Sequence, residues 1–133
     1  MADRKITIRQ AQAGDEKGIA YVHVWSWRQT YKNIVPSEFL DSLNVRNRTK
    51  IWKAKIEQVQ PNKECIYIAL DDNRVIGFSQ AGTPRDDNGY DSELYAIYLL
   101  GQYQRQQIGS RLIKACSDFL GQLASFHLKN TKL

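Results

Sequence analysis

The sequence predicts an α/β (α+β) domain in which helices cover both faces of a mixed, largely antiparallel sheet. Two observations carry the prediction. Apolar residues change period along the chain, alternating in some segments and recurring every three or four residues in others, in the order β-α-α-β-β-β-α. In addition, two strand-like segments are joined by Asp71-Asp-Asn-Arg74, whose turn-forming residues make them an antiparallel hairpin. A chain of 133 residues without repeats or linkers is read as a single domain spanning 1–133 with one core.

Taken in order, Ile6-Thr-Ile8 alternates with polar neighbours and forms the first strand. Gly14-Asp15 opens a helix with Asp15 as N-cap. Along that helix Ala20, Val24, Trp27 and Tyr31 fall on one face, which is expected to line the core. Lys32-Asn33 ends it, and Pro36–Leu40 reads as one further turn with proline near its start. A second helix runs from Arg46 to Val59, burying Trp52, Ile56 and Val59 until Pro61-Asn62 stops it. Cys65–Leu70 and Val75–Gln80 are the hairpin strands, and polar Thr83–Gly89 is a loop. Strand Glu93–Leu100 leads through a polar turn into a helix from Ile108 to Gly121, with Leu112, Cys116, Phe119, Leu120 and Leu123 on one side.

Composition narrows the function classes. With 42% hydrophobic and 25% charged residues, the chain matches an ordinary soluble globular protein. No run approaches the roughly 18 apolar residues of a membrane span, and Met1–Ile8 has no signal-peptide core, so a cytoplasmic location without a membrane partner is expected. Cys65 and Cys116 match no metal or redox spacing and are expected as buried thiols, with no metal site. The net charge of +5 and pI near 9.3 suit an anionic ligand, either nucleic acid or a phosphorylated coenzyme. The basic residues are scattered, however. Arg46, Arg48, Lys50, Lys53 and Lys55 sit on a predicted helix as a solvated face, and no nucleic-acid motif is present, so no nucleic-acid partner is expected.

The stretch Glu93–Ile113 is the most informative. An apolar strand runs into a polar turn that opens directly into an amphipathic helix, so unpaired backbone N–H groups gather where an anion can dock. Within it, Gln104-x-x-Gln107-x-Gly109 resembles the Q/R-x-x-G-x-G/A signature of the GNAT superfamily of N-acetyltransferases. His23–Tyr31 and Ile34–Leu40 are similar to the W-R-x-x-Y…I-V-P…F-L signature of a bacterial subgroup. Val75-Ile-Gly-Phe78 is similar to the family's V-x-G-F strand, where glycine permits close approach to the sheet. The element order is also that of the GNAT fold, so the resemblance covers nearly the whole chain.

The resemblance implies an acetyl-CoA-dependent N-acetyltransferase acting on a primary amine of a small molecule or peptide. Backbone groups of Ile97, Tyr98 and Leu99 would pair with the pantetheine arm as with an added strand. Gln104, Arg105, Gln106, Gln107, Ile108, Gly109 and Ser110 would wrap the pyrophosphate at the positive helix end. Arg105 and Arg111 either add charge near the phosphates or are simply exposed. Glu93 stands where histone-type members place a general-base glutamate; the competing reading is an exposed acidic residue that starts a strand. Trp25 and Tyr31 are substrate-binding candidates, although Tyr31 and Trp27 equally fit the core stripe, and Tyr95 and Tyr98 fit sheet packing. His23, without a metal-ligand partner at i+3 or i+4, reads as packed or hydrogen-bonded.

Two departures from the family pattern have structural consequences. Gln107 replaces a glycine, which is harmless in a right-handed conformation and costs about 1 kcal/mol at positive φ. The family's usual C-terminal strands, and the tyrosine that protonates the leaving thiolate, have no counterpart here; Ser125–Lys129 can begin a fifth strand. The motif strand is therefore expected to keep an open edge, closed by a homodimer near residues 94–100 and 124–133. The alternative function is a catalytically impaired CoA-binding or interaction protein completed by dimerisation.

Overall fold

The structure, a computed structural model, describes residues 5–38, 43–61, 63–84, 92–121 and 126–128, the last segment by its backbone. Strand β1 (Ile6–Gln10) leads into helices α1 (Glu16–Tyr31) and α2 (Val45–Glu57), followed by strands β2 (Cys65–Asp71), β3 (Arg74–Gly82) and β4 (Ser92–Leu99). A 3-10 turn (Gly101–Tyr103), helix α3 (Ile108–Phe119) and a short strand β5 (Phe126–Leu128) complete the order. The five strands form one sheet in sequence order, antiparallel from β1 to β4 and parallel between β4 and β5. The mixed α/β plan is the predicted one. Leu123, Phe39, Leu40 and most of the Thr83–Gly89 loop lie outside the described residues.

Neighbouring residues of β3 show how the sheet is covered. Phe78 meets Trp52 of α2 edge-on at 4.9 Å and His23 of α1 at 6.0 Å. Ser79 points the opposite way. It donates to the Leu112 carbonyl of α3 at 3.3 Å and lies 3.2 Å from Cys116 Sγ. Helices α1 and α2 therefore cover one face and α3 the other, with Trp52, Phe78, Ile68, Ile76, Leu94, Ile97 and Leu112 fully buried between them.

Helix starts follow local chemistry. Asn44 caps α2 by accepting from the Asn47 N–H at 2.8 Å. Asp15 occupies the N-cap of α1 but makes no side-chain cap bond. Its carboxylate accepts from the Gln12 N–H at 2.7 Å and pairs with Arg9 at 2.8 Å, tying the end of β1 to the helix start. Gly18 of α1 lies so close to the hairpin that a Cβ there would meet Val75 Cγ2 at 2.6 Å. Gly121, at φ +91°, terminates α3 two residues before its predicted end.

The inward face of α1 is a correction. Ile19, Val22 and Ser26, with Ala20 and Val24, are its buried residues, whereas Trp27 and Tyr31 are only half-buried. With apolar residues at 19, 20, 22, 24, 25 and 27, two helical lines are compatible with one period. A serine in the occupied line disguises it. The predicted burial of Ile56 and Val59 is likewise partial.

Candidate functional site

The site begins with a strand that changes partners. β4 pairs with β3 from Glu93, opposite Gly82, to Leu99, opposite Gly77. On its other edge it pairs with β5 only through Ser92, Glu93 and Leu94. Tyr95–Leu99 thus face no further strand among the described residues. The register with β3 slips between Gln80 and Ala81, which leaves Tyr95 as an extra residue; such a bulge bends a strand. The Tyr95 hydroxyl fixes the bend by donating to the Thr83 carbonyl. At the far end a Cβ on Gly77 would stand 2.4 Å from Leu99 Cδ2 and 3.0 Å from the Tyr98 carbonyl, so glycine sets how closely β3 and the end of β4 approach.

The turn after β4 is anchored at both ends. The Leu100 N–H donates to the Ile76 carbonyl at 3.0 Å, and the buried Tyr103 donates to Asp71 at 2.5 Å. Gln104 is extended, Arg105 takes φ 63° and Gln107 φ 65° with ψ 10°. Two left-handed residues within four positions curl the exposed backbone of Gln104–Gln107 into a concavity ahead of α3. The amides of Ile108, Gly109 and Ser110 form the first turn of α3, where no intrahelical carbonyl can accept them. An anion seated there would meet both the amides and the positive end of the helix dipole.

Beside the turn a cleft of about 430 Å³ opens between α1 and the end of β4. Ser26, Gln29, Thr30 and Lys32 line one wall; Tyr98, Leu99, Gly101 and Gln104 line the other. The buried Ser26 hydroxyl donates to the Leu99 carbonyl at 3.3 Å, and Gln104 Nε2 reaches the same oxygen at 3.4 Å. Ser26 was not among the predicted site residues. Its signal was present nonetheless, as a polar residue on a buried helical line.

Behind the cleft lies an aromatic cluster. Tyr98 stacks on His23 at 5.3 Å, and Trp27 packs on Tyr31 at 4.1 Å. Trp52 Nε1 donates to His23 Nδ1 at 3.0 Å, which makes Nδ1 an acceptor and places the ring proton on Nε2. Burial, with the nearby charges of Arg48 and Lys55, lowers the His23 pKa to about 4, so the imidazole is neutral at physiological pH. Burial raises the Tyr98 pKa, and the proximity of Tyr31 adds to it, against a hydrogen bond from Trp27. The Cys65 thiol is also pushed up, by its hydrogen bond to Cys116 and by burial.

The family model described as acetyltransferase (GNAT) family matches residues 19–130, which include this strand, turn and helix. The chain belongs to the GNAT acetyltransferase family. It is 41% identical over 119 residues to the uncharacterized N-acetyltransferase YuaI of Bacillus subtilis (strain 168), an alignment covering 88% of this chain and 65% of that protein. The chain thus spans just under two thirds of that relative's length. Among solved structures, PaiA N-acetyltransferase from Thermoplasma acidophilum in complex with coenzyme A shares the fold at a TM-score of 0.72 and 24% identity, over 89% of this chain and 73% of that one. Aminoglycoside N-acetyltransferase AAC(6')-Iy in complex with CoA does so at 0.69 and 14%, over 97% and 79%.

Against the GNAT pattern, the structure brings Ile97, Tyr98 and Leu99, the Gln104–Ser110 turn and Tyr31 to one end of the sheet. Arg105 is exposed in the turn, whereas Arg111 reaches away to the Ile6 carbonyl at 3.3 Å. Trp25 points to solvent, 40% exposed, packing on Tyr21 with the Arg28 guanidinium 5.4 Å from its ring centre. Glu93 is not the exposed strand-start residue of the competing reading. It is fully buried between β3 and β5, opposite Gly82 and His127. Gln107 takes the positive φ, so the glycine it replaces would have been the less strained residue.

Proposed function

We propose that the chain is an acetyl-CoA-dependent N-acetyltransferase that acetylates a primary amine of a small molecule or peptide. One observation carries the reading: a family-matching strand that leaves its parallel neighbour after Leu94 and ends in an anion-binding turn. The freed edge of Tyr95–Leu99 accepts the pantetheine arm as a strand, and Gln104–Ser110 hold the pyrophosphate through backbone N–H groups. The coenzyme supplies the activated thioester. Relatives crystallised with CoA, and AAC(6')-Iy with a CoA–acetylneamine bisubstrate analogue, support a coenzyme donor and an amine acceptor.

Glu93 is the proposed base. The amine must lose a proton before it attacks, and Glu93 is a carboxylate on the same strand that can take it once the acceptor opens a path to its buried position. Tyr31, beside Tyr98, is proposed to border the acceptor; Trp25, which packs on Tyr21 at the surface, could meet only an acceptor that extends beyond the cleft. A homodimer built on residues 94–100 and 124–133 is proposed for the coenzyme-free chain, because a partner strand and the pantetheine arm cannot both pair with Tyr95–Leu99, and a cytoplasmic location fits two buried free thiols. Among the described residues no helix is long and apolar enough to cross a membrane.

Calorimetry with acetyl-CoA, followed by CoA release across a panel of amines, tests the reading; no heat at about millimolar ligand would sink it. Glu93→Gln is expected to lower turnover mainly at low pH, where the amine is most protonated. An unchanged pH–rate profile removes Glu93 from the mechanism. Light scattering decides the dimer, and a monodisperse monomer refutes it.

A further inference from the structure

A second cleft, of about 400 Å³, lies where the first turns of α1, the start of α2 and the β2–β3 hairpin meet. Its lining is Lys17, Gly18, Tyr21, Val45, Arg74 and Val75. The glycine creates the junction, because at Gly18 the helix backbone rests directly on Val75. Tyr21, 39% exposed, and the two valines make the walls apolar, and the stems of Lys17 and Arg74 extend them. Lys17 and Arg74 enter from different elements and are both exposed. The lining holds no carboxylate. Of the nearby acids, Glu16 accepts from the Gly14 N–H and Asp71 from Tyr103, while Asp72 stands exposed at the hairpin tip.

We propose that this cleft binds a small amphipathic carboxylate, an aromatic or branched-aliphatic body with a single anionic end. An apolar floor with two cations at the rim matches that chemistry. Arg74 can take the carboxylate bidentately while Lys17 adds a flexible charge. A neutral apolar ligand would leave both cations unused. The volume falls within the range of small-molecule sites, roughly 300–1,000 Å³. The site is separate from the cleft beside the turn. Lys17 and Gln29 are far apart on one helix, roughly 18 Å at its usual rise, so both sites can be filled together.

The test is an NMR titration of the ¹⁵N-labelled full chain with 3-phenylpropionate and with its uncharged analogue 3-phenylpropanol. Saturable shifts confined to residues 17–21, 45 and 74–75 are expected, with the alcohol at least about tenfold weaker. Lys17→Gln with Arg74→Gln should weaken the acid by about tenfold or more, with acetyl-CoA still bound and thermal stability unchanged because both side chains are exposed. Three results would overturn the proposal: no saturable shift up to about 10 mM acid, equal binding of the alcohol, or shifts centred on the Ser26–Gln104 cleft. Failure of acetyl-CoA to bind in the same sample would bear on the acetyltransferase reading and not on this site.

Discussion

Gln107 and His23 carry the strain and the titration that bear most directly on function and stability. At Gln107 a β-carbon sits in the left-handed region, φ 65°, at the mouth of the proposed pyrophosphate turn. Gln107→Gly should stabilise the fold by about 0.5–1 kcal/mol, whereas Gln107→Val should cost about 1–2 kcal/mol, because a β-branched residue tolerates positive φ least. Urea denaturation of the two variants reads both signs. His23 makes stability depend on pH. Its folded pKa of about 4 lies below the ordinary 6.5, so the unfolded chain binds the proton more readily. The contribution is complete above about pH 6.5 and is lost as pH falls towards 4, a span worth about 3 kcal/mol. His23→Gln, which can still accept from Trp52, should flatten that limb when melting is followed from pH 7 to 4. Neither behaviour was written in residue type alone. Gln107 stands where the motif has glycine, but only the backbone shows which conformation it takes. His23 was legible as packed and hydrogen-bonded, whereas its neutrality comes from burial and from Arg48 and Lys55. The burial of Glu93 was not legible either: an acid after the polar Asp86–Asp91 run looks exposed, and β5 pairs beside it only after the chain returns from α3.

Elements were legible where one period dominated and ambiguous where two fitted. The β2–β3 hairpin was readable because turn-forming residues sit between two apolar runs, with Asp72 supplying φ 55° at its tip. The face of α1 was not, since aromatic residues wrap much of the helix and the inward line passes through Ser26. That serine is expected to stabilise the end of β4: Ser26→Ala should cost about 1 kcal/mol by removing the donor to the buried Leu99 carbonyl. Gly77 acts at the contact between strands. Gly77→Ala places a methyl group 2.4 Å from Leu99 Cδ2 and against the Tyr98 carbonyl, which is backbone and cannot swing aside. Overpacking of this kind costs about 1–3 kcal/mol. Here it also displaces the strand edge proposed to hold pantetheine, so acetyl-CoA affinity should fall together with stability. A variant that loses stability but binds acetyl-CoA as tightly as the parent would detach Gly77 from the site.

At the scale of the molecule, the proposed anion site lies at one end of the sheet of a basic chain, and ligand binding should therefore be felt as both stability and salt dependence. The net charge of +5 raises the potential that a polyanionic coenzyme meets on approach. The amides ahead of α3, by contrast, act at short range and are little screened. Acetyl-CoA at about 100 times its dissociation constant should add about 2.7 kcal/mol to the folded state. Raising salt from about 50 to 500 mM should weaken that gain through the long-range charges without abolishing it. Lowering the net charge from +5 to +2, by exchanging Lys50, Lys53 and Lys55 of α2 for glutamine, should reduce the salt dependence while binding persists. Blocking the helix end instead, with Ser110→Glu, should place a carboxylate where the pyrophosphate belongs and remove the thermal shift at every salt concentration. Should Ser110→Glu bind acetyl-CoA as well as the parent chain, the phosphates would lie away from the Gln104–Ser110 turn, and the charge of the chain as a whole would have to account for the affinity.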